Sequence, residues 1–327
     1  MSGRAAVLAI DIGEVMTKAA VSAPGGSRRV CFPTRVAMGE RDVDGREAPP
    51  RAVLIRGGIA RVGDVSSRLG FVEREIAPAL SPSEVLAALV GGVVIATGVD
   101  AIDVLMLTVS ENVCNVSTED VRAALSKVRL RDGKAITPPT RIGVMPPREA
   151  VLADLILSSS GGIELSERAV KQTRFSVVDC SPRALRIAHV TRGAKGVTDI
   201  ATDEIALDFA IERAVCSDVE SRMRSQVSGV VEAMANRFVR GPRNRLDIGV
   251  YIDMAATAAR EKVLPALARS IASAGSELVV FSGGHATVFE RRDGEENDYV
   301  SRIAIQSETS IVRGLFRSGK RWGNPAR

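Results

Sequence analysis

A short apolar run that ends on an aspartate and then turns back on itself occurs twice in this chain. No other feature constrains the fold as much. In the first copy, residues 5–10 run into Asp11-Ile12-Gly13-Glu14, and a second apolar run resumes over 18–22. Two apolar arms joined by a polar turn with glycine predict a β-hairpin. In the second copy, residues 175–179 lead into Cys180-Ser181-Pro182-Arg183 and then 184–190, with Asp179 placed 168 residues after Asp11. The duplication is one of architecture and not of sequence identity. A chain of 327 residues has length for about two domains, each able to bury its own core. The expectation is therefore two related α/β halves facing each other across a cleft.

The segments between the hairpins fit that plan. Residues 28–65 alternate short apolar pieces with Pro and Gly, which predicts further strands, with an exposed loop over 40–51. Ser81-Pro82-Ser83-Glu84 has a capping serine, a first-turn proline and a glutamate three residues on, so a helix starts there. The stretch 85–99 is the most apolar in the chain. It is too short to span a bilayer and is interrupted by Gly91, Gly92 and Gly98, so a buried helix is expected and no membrane anchor. Residues 103–109 predict a buried strand, Ser117 with Asp120 a short helix, 140–145 a strand and 148–157 a helix. Ser158-Ser159-Ser160-Gly161-Gly162 breaks that helix, and the main boundary is placed here, giving domains 1–162 and 163–327.

In the second half Val215, Val219, Met223, Val227, Val231, Met234 and Phe238 recur at helical spacing. Ser217 with Glu220 suggests a start near Asp218. Residues 246–252 predict a strand, Asp253 a cap for a helix over 254–273, and 278–281 a strand running into Ser282-Gly283-Gly284. A last helix is expected near 308–317, followed by a basic tail and packing back toward the first domain.

Composition removes several function classes. Aromatic residues make up 3 % of the chain, too few for a single-strand nucleic-acid binder that stacks bases on aromatic platforms. Lys plus Arg is 44 against 39 for Asp plus Glu, a small excess that permits an acidic partner without requiring one. Cys31, Cys114, Cys180 and Cys216 are widely separated and there are two histidines, which argues against a disulfide framework or a zinc site. With no signal-peptide layout at the start, a reduced, cytoplasmic protein is expected. The G-x-x-x-x-G-K-[ST], G-x-S-x-G and H-E-x-x-H patterns are all absent.

Three elements carry chemistry. In Asp11-Ile12-Gly13-Glu14-Val15-Met16-Thr17-Lys18, glycine lets backbone N–H groups approach phosphate oxygens. Asp11 suits a hydrated magnesium ion, and Lys18 suits a phosphate as a point charge. Asp179 ends a run of the same layout, so two such turns would grip a polyphosphate from both sides. Ser282-Gly283-Gly284, directly after a strand, lets a flat group such as a purine reach the main chain. The plain reading of each is a polar or glycine turn, and His285 reads as a satisfied turn residue.

Taken in order, the three elements resemble the actin, sugar-kinase and heat-shock chaperone superfamily, in particular the prokaryotic actin-like proteins of the ParM type and their archaeal relatives. The stretch from Asp11 to Lys18 is similar to the family's first phosphate motif and Ser282-Gly283-Gly284 to its adenosine motif. Ser310-Ile311-Val312-Arg313-Gly314 is similar to its closing helix. The resemblance implies two duplicated actin-like (ribonuclease H-like) domains around a nucleotide cleft. It implies ATP or GTP with Mg, held by Asp11, Gly13, Glu14, Lys18, Asp179, Ser181, Arg183, Ser282, Gly283 and Gly284, with Asp11 and Asp179 toward the metal. It further implies head-to-tail self-assembly into filaments with a cytoskeletal or DNA-segregation role.

The chain departs from that pattern at two places. No glycine follows Asp179, where Arg183 is a candidate source of charge. At Pro146-Pro147-Arg148-Glu149 the family's Pro-Glu is missing, leaving Glu149 as the candidate for orienting an attacking water. The other open readings are a nucleotide-poor scaffold acting by protein contacts and a small-molecule kinase of the same superfamily. The basic residues near the end (Arg313, Arg317, Lys320, Arg321 and Arg327) would suit an adaptor or acidic partner. Direct binding of nucleic acid is not indicated.

Overall fold

In a computed structural model of the chain, the run ending near Asp11 is β1 (Val7–Ile12). It pairs antiparallel with β2 (Met16–Ala23), and β2 pairs with β3 (Gly26–Pro33). The structure describes residues 6–13, 16–23, 26–39, 51–55, 57–63, 80–99, 101–109, 117–162, 174–181, 184–193, 196–207, 210–223, 237–240, 245–289, 300–303 and 307–323. The loop expected over 40–51 lies outside them except for Arg51. The chain divides into two compact units: Met1–Pro146 with Ser159–Gly162 and Leu315–Arg327, and Pro147–Ser158 with Ile163–Gly314.

In the first unit, β7 (Val104–Val109) lies parallel to β1, and β9 (Arg141–Val144) parallel to β7. The sheet order is β3-β2-β1-β7-β9. Strand side chains alternate between faces, so Leu8, Ile10 and Ile12 share a face. They pack with Leu86, Leu89 and Val93 of helix α1 (Pro82–Thr97) in one core. Asp11 shares the opposite face with Val7 and Ala9. The capping box expected at Ser81 is formed, with Ser81 N and Oγ both donating to Glu84 Oε2 at 2.8 Å. Gly91 and Gly92 do not interrupt α1. A Cβ at Gly92 would come within 2.5 Å of Val62 Cγ1, so the missing side chain lets the helix settle on a second sheet. That sheet comprises β4 (Val36–Met38), β6 (Gly58–Val62), β5 (Ala52–Ile55) and β8 (Arg129–Leu130), in that order. Helix α2 (Thr118–Lys127) starts at Ser117 and Asp120 as expected.

The second unit repeats the topology. Strands β10 (Arg174–Cys180), β11 (Ala184–Gly193) and β12 (Gly196–Ala206) are antiparallel neighbours. β15 (Leu278–Ser282) and β16 (Val300–Ile303) follow in parallel, giving the order β12-β11-β10-β15-β16. Val178 and Cys180 pack with Val263, Leu267 and Ile271 of helix α5 (Gly249–Ala274). Phe175 and Val177 pack with Val151 and Leu152 of helix α3 (Pro147–Ile156). By alternation Asp179 belongs to the α3 face.

Five expectations are corrected here. Residues 246–252 are not one strand. β14 (Arg245–Asp247) is short and pairs with β13 (Phe238–Arg240), and α5 begins at Gly249. Its start is met by Asp247 Oδ1, which accepts from Gly249 N at 2.8 Å. Asp253, expected as the cap, instead pairs with Arg237 at 2.9 Å. Ser217 and Glu220 lie inside helix α4 (Ala210–Met223), because their spacing fits one helical turn anywhere along a helix. Phe238 is in β13, while Val227, Val231 and Met234 lie outside the described residues. A one-turn helix α6 (Ala286–Phe289) follows β15. The last helix, α7, spans Ser310–Gly323, so Lys320 and Arg321 are helical and not part of a tail.

The start of α7 is tied to α3 within the second unit. Arg313 Nε and Nη2 donate to Asp154 Oδ1 and Oδ2 at 3.0 and 2.5 Å, and Ser310 Oγ donates to Asp154 Oδ2 at 3.1 Å. Asp154 is buried, and breaking a buried pair strands the remaining charge. Asp154→Asn is expected to lower stability by about 2 kcal/mol, read by chemical denaturation. An unchanged midpoint would contradict the pairing. Among the described residues no helix is long and apolar enough to cross a membrane.

Candidate functional site

The central strands of the two units carry matching rows of residues. In the first unit, register places Thr108 of β7, Asp11 of β1, Lys18 of β2 and Cys31 of β3 side by side. In the second, Ser282 of β15, Asp179 of β10, Arg186 of β11 and Glu204 of β12 form the corresponding row. Cross-strand partners point to the same face. Each unit therefore presents a hydroxyl, a carboxylate and a cation together, near the end of its parallel strands. In open α/β sheets ligands bind at that edge.

Asp11 is 6 % exposed. Burial pushes its carboxyl up to about 6, with Lys18 pulling the other way. Beside it, the Thr108 hydroxyl oxygen is buried without a hydrogen-bond partner among the described residues. Gly13 N donates to Met16 O at 3.2 Å, and a Cβ at Gly13 would come within 3.0 Å of that same oxygen. The turn is thus built for glycine. Magnesium keeps most of its waters and takes one or two carboxylates. A buried, weakly compensated carboxylate beside an unmet hydroxyl fits such a hydrated ion. Among the described residues no three His, Cys, Asp or Glu side chains gather as a metal set.

The second row is met differently. Arg186 Nη1 stands 3.8 Å from Asp179 Oδ2 and its Nε 3.4 Å from Glu204 Oε2. Ser282 Oγ donates to Ser307 O at 3.2 Å. Ser181 Oγ donates to Ala184 O at 2.9 Å and accepts from Ala184 N at 3.1 Å, so its hydroxyl serves the turn. Gly283 has φ +92°, and a Cβ there would come within 2.6 Å of Cys180 O and 2.9 Å of Asp179 Oδ1. The strand-to-helix turn closes on the Asp179 hairpin only because residue 283 is glycine. A Cβ at Gly284 meets nothing within 4 Å, leaving its backbone open. His285 N donates to Cys180 O at 3.4 Å, and burial lowers the pKa of its ring.

Of the residues singled out in the sequence, Asp11, Gly13 and Lys18 come together in the first unit, and Asp179, Ser181, Ser282, Gly283 and Gly284 in the second. Glu149 is exposed on the first turn of α3. Glu14 and Arg183 lie outside the described residues. Sequence reasoning missed Thr108, Arg186 and Glu204. A signal for Arg186 existed, because it follows Asp179 by seven residues as Lys18 follows Asp11.

The same fold is found along nearly the whole length of known structures. Ta0583, an archaeal actin homolog in complex with ADP, aligns at 12 % identity with a TM-score of 0.66, covering 96 % of this chain and 99 % of that one. A non-polymerisable quadruple mutant of pCBH ParM gives 12 % and 0.65, covering 97 % and 99 %. Bacillus thuringiensis ParM with ATP gives 11 % and 0.59, covering 97 % and 98 %. The chain has the fold of the prokaryotic actin-like proteins. No protein-family model matches the sequence, and no curated protein matches it. In this actin-like fold, each unit's Asp-ended hairpin is the feature that the sequence repeats.

Proposed function

We propose that this chain is an actin-like nucleotide-binding protein that assembles into filaments, with a cytoskeletal or DNA-segregation role. The observation that carries the reading is the repeated row of hydroxyl, aspartate and cation, one in each unit. A solvated structural hairpin has no need of a buried carboxylate opposite a cation, whereas a phosphate chain with its counter-ion does. In this reading ATP or GTP is the ligand. Asp11, with Thr108 beside it, holds a water-clad magnesium ion, which neutralises phosphate charge when bound. Lys18 supports a phosphate oxygen, and the open backbone at Gly284 takes the base. Glu149, at the start of α3, is the candidate for orienting water in slow hydrolysis. Neighbours of this fold were solved with ADP and with ATP, which supports the ligand class. Assembly would be head to tail, since a heterologous contact that does not close generates a filament.

Calorimetric titration with a non-hydrolysable ATP analogue and magnesium is expected to show one site per chain. Sedimentation and electron microscopy with Mg-ATP are expected to show polymer. Silence in both would remove the proposal. The second reading, a nucleotide-poor scaffold, is favoured by the second turn. It has no glycine between Asp179 and Ala184, and its Ser181 hydroxyl is turned inward. Polymer or partner binding without any nucleotide signal would select it.

A further inference from the structure

The two rows differ in how their charges are met, and the difference bears on Arg186. This residue lies opposite Asp179 as Lys18 lies opposite Asp11. Its side chain is 8 % exposed, and its two ion pairs measure 3.8 and 3.4 Å. Charge-assisted N–H···O bonds run at about 2.7–2.9 Å, so these contacts are Coulombic only. Among the described residues the guanidinium makes no hydrogen bond. The planar fork of N–H donors is thus largely enclosed, with its carboxylate partners among the described residues no nearer than 3.4 Å, a weakly compensated state for a cation. A planar fork of that kind is satisfied by an oxyanion offering several oxygens at once. In the adjacent turn the Ser181 hydroxyl is spent on Ala184, and the sequence has no glycine there.

The geometry points to Arg186 as the phosphate-binding cation of the second unit. Without ligand it is held by Asp179 and Glu204, and with ligand it turns its N–H groups to nucleotide phosphate oxygens. This rests on the nucleotide reading above. It makes Asp179 the group that positions the arginine. It makes Glu204, with 47 % of its side chain exposed, the carboxylate that competes with phosphate for it.

The test is titration of the full chain with Mg-ATP and Mg-GTP, with thermal unfolding of every variant alongside. Arg186→Gln is expected to weaken binding about ten- to a hundredfold. Arg186→Lys is expected to keep part of the affinity, because it keeps a point charge and loses the fork. Glu204→Gln is expected to tighten binding about two- to fivefold by removing the competitor. A purely structural ion pair would not produce that tightening. If Arg186→Gln fails to fold, the other two variants decide. Full affinity in Arg186→Gln or Arg186→Lys, or no tightening in Glu204→Gln, overturns this role while nucleotide binding stands. No signal from the wild type with either nucleotide overturns the nucleotide reading itself.

Discussion

Gly314→Ala is expected to lower the stability of the second unit by about 4 kcal/mol or more, against the direction that helix propensity alone would give. Within a helix, alanine is favoured over glycine by about 1 kcal/mol, and residue 314 is inside α7. The added Cβ, however, would fall on the carbonyl oxygen of Ala150. It would also lie 2.6 Å from that carbonyl carbon and 3.0 Å from Asp154 N. These are backbone atoms of α3, and they have no rotamer by which to move aside. The helices would have to separate, taking with them the bonds that Arg313 and Ser310 make to Asp154. For a unit of this size the loss corresponds to a fall in Tm of about 10 °C. Gly284→Ala is the control, since its Cβ meets nothing within 4 Å, and its melting curve should overlay the wild type. An unshifted Tm for Gly314→Ala would mean that α3 and α7 do not cross at this point.

What was legible in the sequence was local. The hairpins at Asp11 and Asp179 announce themselves by apolar arms and polar turns. α1 and α2 announce themselves by a serine with an acid three residues on, because those groups bond to each other whatever surrounds them. The same rule misled at Ser217, since a serine and a glutamate three apart are also ordinary neighbours inside a helix. The start of α5 was hidden by Val250-Tyr251-Ile252, residues that favour strands. Burial of Ile252 against the unit and the bond from Gly249 to Asp247 override that preference. The rows across the sheets were the least visible. Thr108 reaches Asp11 only through a parallel pairing between segments nearly a hundred residues apart, and sequence spacing carries no record of such a register. Arg186 was within reach, because the offset from aspartate to cation repeats.

Asp11→Asn is expected to make the protein more stable and at the same time abolish tight binding of magnesium nucleotide. The carboxyl sits at about 6 in the fold against an ordinary 3.8. The unfolded chain therefore gives up this proton at lower pH than the folded chain does. Stability is highest below about pH 4, falls as pH rises through the interval, and above about pH 6 stays lower by up to about 3 kcal/mol. Asparagine carries no charge at any pH. Chemical denaturation should thus show the variant gaining up to about 3 kcal/mol near pH 8 and matching the wild type near pH 4. The value of about 6 already contains the opposing pull of Lys18, so the loss of that pair in the variant is included in the gain. The amide still offers one oxygen but no charge to a dication, so affinity for Mg-ATP should drop about a hundredfold or more. A variant less stable than wild type near pH 8, or one that still binds Mg-ATP tightly, would contradict this account of Asp11. The two effects belong together. A carboxylate that weakens its own fold at neutral pH, beside a hydroxyl without a partner among the described residues, is what a site looks like when its compensating charge arrives with the ligand.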